Sequence, residues 1–136
     1  MSRLYLDANV VIRLIEDEPA LREEVWRIVA AHGGPDRVIV VSDLVRLECR
    51  VKPLAAGDAT VLDAYARYFA SPDVTVVSLP TPVYDRATEI RARSRYGLAD
   101  ALHLATAIES GCDAFVTADR RLSGFTDLPV VLIHAE

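Results

Sequence analysis

The feature of this sequence that most constrains its fold is the alternation of short β-branched apolar runs with segments whose apolar residues repeat at helical spacing. Residues 37–41 form a continuous apolar run after one arginine, typical of a parallel strand buried on both faces. Comparable runs occupy residues 74–79, 114–119 and 128–133. The alternation predicts an α/β fold, a three-layer α/β/α sandwich with a mostly parallel sheet of about five strands.

Length and cysteine content limit the class of protein. The 136 residues suit one domain, so we expect residues 1–136 to form a single unit. No apolar run approaches the roughly 18 residues of a membrane helix, and Met1 is followed at once by a predicted strand rather than by a signal sequence. We therefore expect a cytoplasmic protein without a membrane partner. Cys49 and Cys112 lie far apart in apolar surroundings, which favours buried reduced thiols over a disulfide.

Polar side chains stand where predicted strands end. The first strand reaches Asp7, Asn9 follows two residues later, and the apolar spacing then becomes helical. Ser42 directly follows the next strand and is a candidate N-cap, while Asp119 ends a later one. In an open α/β sheet, ligands bind beyond the carboxyl ends of the strands. We expect Asp7, Ser42 and Asp119 to meet at that edge.

A glutamate interrupts an apolar stripe in the helix that follows Ser42. Leu44, Leu47 and Val51 recur at helical spacing, and Glu48 falls inside this stripe. We expect the stripe to face inward and Pro53 to interrupt the helix. A carboxylate directed toward the core needs an arginine, hydrogen-bond donors or a metal ion, so Glu48 is either part of an internal salt bridge or a ligand.

A second carboxylate stands at the start of a nearly all-apolar helix, residues 98–108. Such a helix should be buried, and its N-terminus stabilises the negative charge of Asp100 in the first turn. The alternative is an ordinary capping aspartate. His103 lies one turn later and would complete an Asp-x-x-His metal pair, although a structural histidine is favoured.

Together these positions predict an acidic cluster. Two unit charges about 4 Å apart repel by roughly 4 kcal/mol at an effective dielectric constant of 20. A hard cation relieves this repulsion, and a set of oxygen ligands suits Mg²⁺ or Mn²⁺. Such an ion activates water and stabilises charge on a phosphodiester. The carboxylates concerned are Asp7, Glu48, Asp100 and Asp119.

The sequence resembles the PIN-domain ribonucleases, in particular the single-domain VapC-type toxins of toxin–antitoxin pairs. The resemblance covers essentially the whole chain and depends on the order and approximate spacing of four short motifs. These are Tyr5-Leu6-Asp7-Ala8-Asn9, Ser42-Asp43-Leu44-Val45-Arg46-Leu47-Glu48, Leu98-Ala99-Asp100-Ala101-Leu102-His103-Leu104-Ala105 and Thr117-Ala118-Asp119.

The resemblance implies that the four carboxylates form a metal site supported by hydrogen bonds from Asn9, Ser42 and Thr117. It also implies cleavage of single-stranded or looped RNA, a homodimer, and a VapB-type antitoxin that covers or disrupts the site. The net charge of −5 argues against a general nucleic-acid coat, so RNA affinity should be modest and metal-dependent. The candidate side chains for binding the phosphates that flank the cleaved bond are Arg46, Arg50, Arg120 and Arg121. The alternative is that these arginines are ordinary solvated surface residues.

Two other protein classes that place an aspartate after the first strand fit this sequence poorly. A phosphatase of the haloacid-dehalogenase type needs a second aspartate where this chain has Asn9, and a late catalytic lysine, whereas the only lysine is Lys52. A phospho-receiver domain fails for the same lack of lysine. A non-catalytic PIN-like binding module, or an RNA-processing nuclease outside a toxin–antitoxin pair, stays open.

Overall fold

The computed structural model describes residues 2–133, and these residues contain one parallel sheet of five strands. The strands are β1 (Arg3–Leu6), β2 (Val38–Ser42), β3 (Val74–Val77), β4 (Ala114–Thr117) and β5 (Val130–Leu132). They lie in the order β3-β2-β1-β4-β5, and all four pairings are parallel. The predicted fold class is therefore confirmed.

Helices cover both faces of the sheet. The helices are α1 (Ala8–Glu16), α2 (Pro19–Gly33), α3 (Asp43–Ala56), α4 (Ala59–Ala70), α5 (Thr81–Arg93) and α6 (Leu98–Glu109), with a short 3₁₀ helix at Arg120–Gly124. Helices α2, α3 and α4 each contact α1, whereas α5 packs on α6. Because the chain moves along the sheet in one direction through β1, β2 and β3 and then returns to β4, right-handed crossovers place these two groups on opposite faces.

Helix α6 is buried along most of its length, as its apolar circumference predicts. Every residue from position 101 to position 107 is buried, including His103 at 2% exposure. Asp100 lies half-buried in the first turn. Arg121 contacts both Asp100 and Asp119, which follows β4, so Asp100 lies at the end of the sheet where the strands terminate. Within residues 2–133, no helix is both long and apolar enough to cross a membrane.

The sequence interpretation of α3 was wrong in two respects. Leu47 and Val51 are each 55% exposed. The buried row is instead Val45, Cys49 and Pro53, displaced by one or two positions from the expected stripe. Pro53 does not interrupt the helix: its missing N–H costs one hydrogen bond, but its ring is buried and the helix ends only three residues later. Glu48 thus borders the buried face beside Cys49.

Candidate active site

Two of the strand-end residues also cap helices. Asp7 follows β1 and caps α1, where its Oδ1 accepts a 2.8 Å hydrogen bond from the Ala8 N–H. Ser42 ends β2 and caps α3, where its hydroxyl accepts from the Val45 N–H. Both predicted strand-to-helix transitions are confirmed. Parallel strands thus bring both side chains to one edge of the sheet.

Asp7 is buried and firmly held. Only 6% of the residue is exposed. The Thr117 hydroxyl donates to Asp7 Oδ2 at 2.8 Å, and the Asn9 amide donates to the same oxygen at 3.3 Å. Asn9 Oδ1 in turn accepts from the Ala118 N–H. Asn9 and Thr117 therefore link β1 to the end of β4 and fix the orientation of the Asp7 carboxylate.

Burial raises the pKa of Asp7 above its ordinary value. The nearby His103 ring and the hydrogen bonds from Thr117 and Ala8 oppose that shift without cancelling it, and the Glu48 charge adds to it. The ionised Asp7 carboxylate is consequently under-compensated by the protein's own residues. A cation placed beside it would favour the charged form.

His103 joins Glu48 to Asp7. Its Nε2 lies 2.7 Å from Glu48 Oε1 and 3.8 Å from Asp7 Oδ1. One ligand atom from each of these three residues falls within 4.8 Å of the other two. The sequence favoured a structural role for His103. The structure places it inside the acidic cluster with both ring nitrogens hydrogen-bonded.

Tyr5 is a member of the site that the sequence did not indicate. Its hydroxyl lies 2.8 Å from His103 Nδ1 and 2.8 Å from Ser42 Oγ. Tyr5 and Ser42 are completely buried. Tyr5 belongs to an apolar strand, and nothing in that pattern distinguishes it from a core aromatic residue.

The other two carboxylates are paired through Arg121. Its Nη2 lies 3.2 Å from Asp100 Oδ2, and its Nε lies 3.1 Å from each oxygen of Asp119. The hydrogen bonds from Arg121 lower the pKa of Asp119, against a smaller effect of burial. Asp119 also donates its N–H to the Thr117 hydroxyl at 3.1 Å, which connects it to the support of Asp7.

The four predicted carboxylates therefore occupy two adjoining groups. Asp7 and Glu48 meet at His103, and Asp100 and Asp119 meet at Arg121. Carboxylate oxygens match the ligand preference of Mg²⁺ or Mn²⁺, and the nitrogen within the Asp7 group, His103 Nε2, is hydrogen-bonded to Glu48. The donor set thus fits a hard divalent cation.

The other candidate phosphate-binding arginines lie in different surroundings. Arg120 is exposed next to Arg121. Arg46 forms an ion pair with Asp43, and the Arg50 side chain donates to the Arg46 carbonyl. Both line a groove of about 620 Å³ between α3 and α4. Of the four arginines, Arg121 is the one that contacts the candidate metal-binding carboxylates.

The chain is similar to a known protein family and to several solved structures. The family model described as "PIN domain" matches residues 4–128. Comparison with curated proteins finds no match. In a solved structure, a chain of VapBC2 from Rickettsia felis, bound to a DNA fragment from their promoter, is similar with a TM-score of 0.78 and 13% identity. That alignment covers 94% of this chain and 96% of the other.

Two further solved structures are similar. VapC20 from Mycobacterium tuberculosis, a sarcin-ricin loop cleaving toxin, aligns with a TM-score of 0.68 and 19% identity over 93% of this chain and 98% of that chain. A chain of a toxin–antitoxin complex from Klebsiella pneumoniae aligns with a TM-score of 0.70 and 18% identity, covering 98% and 99%. At these identities the similarity demonstrates a shared fold.

Proposed function

The chain belongs to the PIN domain family, whose model spans nearly all of it, and we propose that it is a metal-dependent endoribonuclease, the toxin of a type II toxin–antitoxin pair. The observation that carries this proposal is Asp7, a buried carboxylate at the end of the central strand, with Glu48 beside it. Burying an ionised carboxylate without a compensating partner is costly. A divalent cation at this sheet edge would compensate the negative charge and would also hold an anionic phosphodiester.

Asp7, Glu48, Asp100 and Asp119 would hold the ion, Asp119 either directly or through one of the several waters that a bound Mg²⁺ commonly keeps. When bound, the ion would polarise the scissile phosphate and lower the pKa of a bound water. Asp7 supplies a fixed carboxylate because Thr117 and Asn9 hold it. Glu48, whose side chain is 31% exposed, either binds the ion or accepts a hydrogen bond from the attacking water and orients it.

Substrate binding would depend on few basic groups. We assign Arg120 and Arg121 to phosphates flanking the scissile bond, and Arg46 and Arg50 to more distant ones. Arg121 is 67% exposed, so it can turn from the carboxylates toward RNA. With a net charge of −5, the protein should bind RNA weakly without metal.

The toxin proposal includes a VapB-type antitoxin, a homodimer and a cytoplasmic location, where RNA targets occur. Arg121 lies between Asp100 and Asp119 and so demonstrates that a guanidinium fits there. An antitoxin arm carrying an arginine would inhibit by the same contact. Large apolar side chains that remain exposed for partner contacts are Leu21, Trp26, Leu47, Val51, Leu54, Tyr84 and Leu98.

The test is cleavage of a labelled panel of single-stranded and hairpin RNAs with Mg²⁺, Mn²⁺ or EDTA. Wild-type protein, Asp7→Asn and Asp100→Asn are compared with Asp63→Asn, which changes an exposed carboxylate paired with Arg67 on α4. We expect the wild type and Asp63→Asn to cleave RNA when metal is present, and Asp7→Asn and Asp100→Asn not to cleave it. Metal binding without cleavage of any RNA, by protein freed of co-purified antitoxin, would instead favour the non-catalytic binding module.

A further inference from the structure

A buried chain of hydrogen bonds begins and ends on α3. It runs from the Val45 N–H to Ser42 Oγ, then to the Tyr5 hydroxyl, His103 Nδ1, and from Nε2 to Glu48 Oε1. The last three of these four contacts measure 2.8, 2.8 and 2.7 Å. Ser42, Tyr5 and His103 are no more than 2% exposed, so water does not compete for the contacts among these three residues.

The direction of each hydrogen bond follows from which atoms carry protons. The Val45 N–H can only donate, so Ser42 Oγ accepts from it. Among the contacts that the described residues make, the remaining partner of the Ser42 hydroxyl is Tyr5, so Ser42 donates its proton there. Tyr5 then donates to His103 Nδ1. The ring consequently carries its proton on Nε2, and that proton points at Glu48.

The opposite tautomer of His103 leaves one hydrogen-bond donor without an acceptor. With the proton on Nδ1, Tyr5 would accept from His103 and donate to Ser42, whose own proton would then lack an acceptor in a fully buried position. A buried donor without an acceptor costs about 1–3 kcal/mol. Glu48 would also face a bare nitrogen lone pair at 2.7 Å. The chain therefore selects the tautomer with Nε2–H.

We propose that His103 is a positioning residue of the acidic site, which uses its Nε2–H to hold the Glu48 carboxylate beside Asp7 rather than binding the cation itself. This inference rests on the proposed metal-dependent function and names a residue outside the four carboxylates. The first two turns of α3 supply both the terminal donor, at Val45, and the carboxylate that the chain orients, at Glu48. Both ends of the hydrogen-bond chain, Val45 and Glu48, belong to α3. The orientation of Glu48 is therefore coupled to the N-terminal capping of its own helix by Ser42.

The tautomer can be read without RNA and without any substitution. Long-range ¹H–¹⁵N correlation spectra of the full chain distinguish a protonated ring nitrogen from an unprotonated one. We expect Nε2 to be protonated and Nδ1 unprotonated for His103, both in EDTA and at saturating Mg²⁺. The exposed His32 on α2 serves as an internal comparison. Loss of the Nε2 proton on addition of Mg²⁺ would mean that His103 is a ligand, and the proposal would be wrong.

Matched variants test the positioning role. His103→Gln keeps an N–H donor near the Nε2 position, whereas His103→Leu keeps bulk and removes the donor. Loss of a partner that orients a metal ligand typically weakens metal affinity by about 10- to 100-fold. We expect His103→Leu to show that loss for Mg²⁺ by calorimetry, and His103→Gln to recover most of it.

The two proposals fail differently. If the wild type cleaves RNA, the rate lost in His103→Leu should recover as Mg²⁺ approaches saturation, which a general packing defect would not produce. Equal Mg²⁺ affinity in the wild type and His103→Leu would overturn the positioning role and leave the nuclease proposal standing. Absence of cleavage, with the Nε2 proton and the Mg²⁺ effect both observed, would overturn the nuclease proposal alone.

Discussion

The Thr117 hydroxyl donates a 2.8 Å hydrogen bond to Asp7 Oδ2 across the neighbouring strands β4 and β1. The same hydroxyl oxygen accepts from the Asp119 N–H and from the Asn9 amide. One small side chain therefore sets the orientation of the buried carboxylate and locates the loop that carries Asp119. Support of this kind fixes the ligands of a metal site before any ion binds.

Asp7→Asn should abolish RNA cleavage. The substitution removes the buried charge that a cation would neutralise, while its carbonyl oxygen can still accept from the Ala8 N–H and cap α1. We expect the cleavage rate to fall by at least about 100-fold, which is more than the loss of a residue that only orients a metal ligand usually causes. Single-turnover cleavage measures it, with circular dichroism to check folding. Wild-type rates in this variant would exclude Asp7 from the chemistry.

The stability of the metal-free protein should depend on pH through Asp7. Because its folded pKa is raised, the native state binds more protons than the unfolded state between the ordinary value of 3.8 and the folded value. Native stability from this group therefore increases as pH falls through the folded pKa. Asp119, whose pKa is lowered, acts in the opposite direction.

The contribution of Asp7 can be isolated by difference. Urea unfolding in EDTA, for the wild type and Asp7→Asn over a pH series, removes the Asp119 effect that both proteins share. We expect the wild type to gain stability relative to the variant as the medium becomes more acidic. A difference that stays constant with pH would show that Asp7 is not titrating with a raised pKa.

Divalent cations should stabilise the fold. A ligand that binds only the native state at 100 times its Kd adds about 2.7 kcal/mol to the free energy of unfolding. Mg²⁺ or Mn²⁺ should raise the melting temperature of the wild type and of Asp63→Asn, and should have little effect on Asp7→Asn. Equal stabilisation of all three proteins would place the ion elsewhere.

Arg121→Ala should bind Mg²⁺ more tightly than the wild type. The guanidinium pairs with Asp100 and Asp119, so it competes with a cation for the same oxygens. Exposed ion pairs are weak because water screens them, so we expect the gain in Mg²⁺ affinity to be at most about fivefold. Arg120→Ala, the exposed neighbour, is the control, and calorimetry is the measurement. Weaker Mg²⁺ binding in Arg121→Ala would contradict this competition.

Cys49 and Cys112 should react slowly with thiol reagents while the protein is folded. Burial raises the pKa of Cys49 to about 12 and that of Cys112 to about 11, so little thiolate is present at neutral pH. A chromogenic disulfide should label both rapidly only after denaturation. Fast labelling of the native protein would indicate local opening of the core around α3 or before β4.

Sequence alone locates the strand-end residues well, because parallel strands bring their carboxyl ends to one edge whatever the details of packing. Asp7 and Ser42 follow from that rule. The face of α3 does not, since two apolar rows lie side by side on it. One contains Leu47 and Val51, the other contains Val45 and Cys49, and only the position of the helix on the sheet decides which is buried.

Local sequence patterns do not predict which side chains from distant parts of the chain come into contact. Tyr5 and His103 are 98 residues apart, and each has an ordinary interpretation as a core residue in its own segment. The pairing of Arg121 with Asp100 likewise depends on how the 3₁₀ helix lies against α6. Both contacts involve side-chain directions that local periodicity does not encode.

The position of β1 in the middle of the sheet has a consequence for synthesis. The hydrogen bond that orients Asp7 comes from Thr117, 110 residues later in the chain. The second edge of β1 is paired only by β4, and contacts between residues so far apart in sequence have a large loop-closure cost. A growing chain therefore lacks the assembled acidic site until Thr117 and Asp119 have been synthesised and β4 has paired with β1.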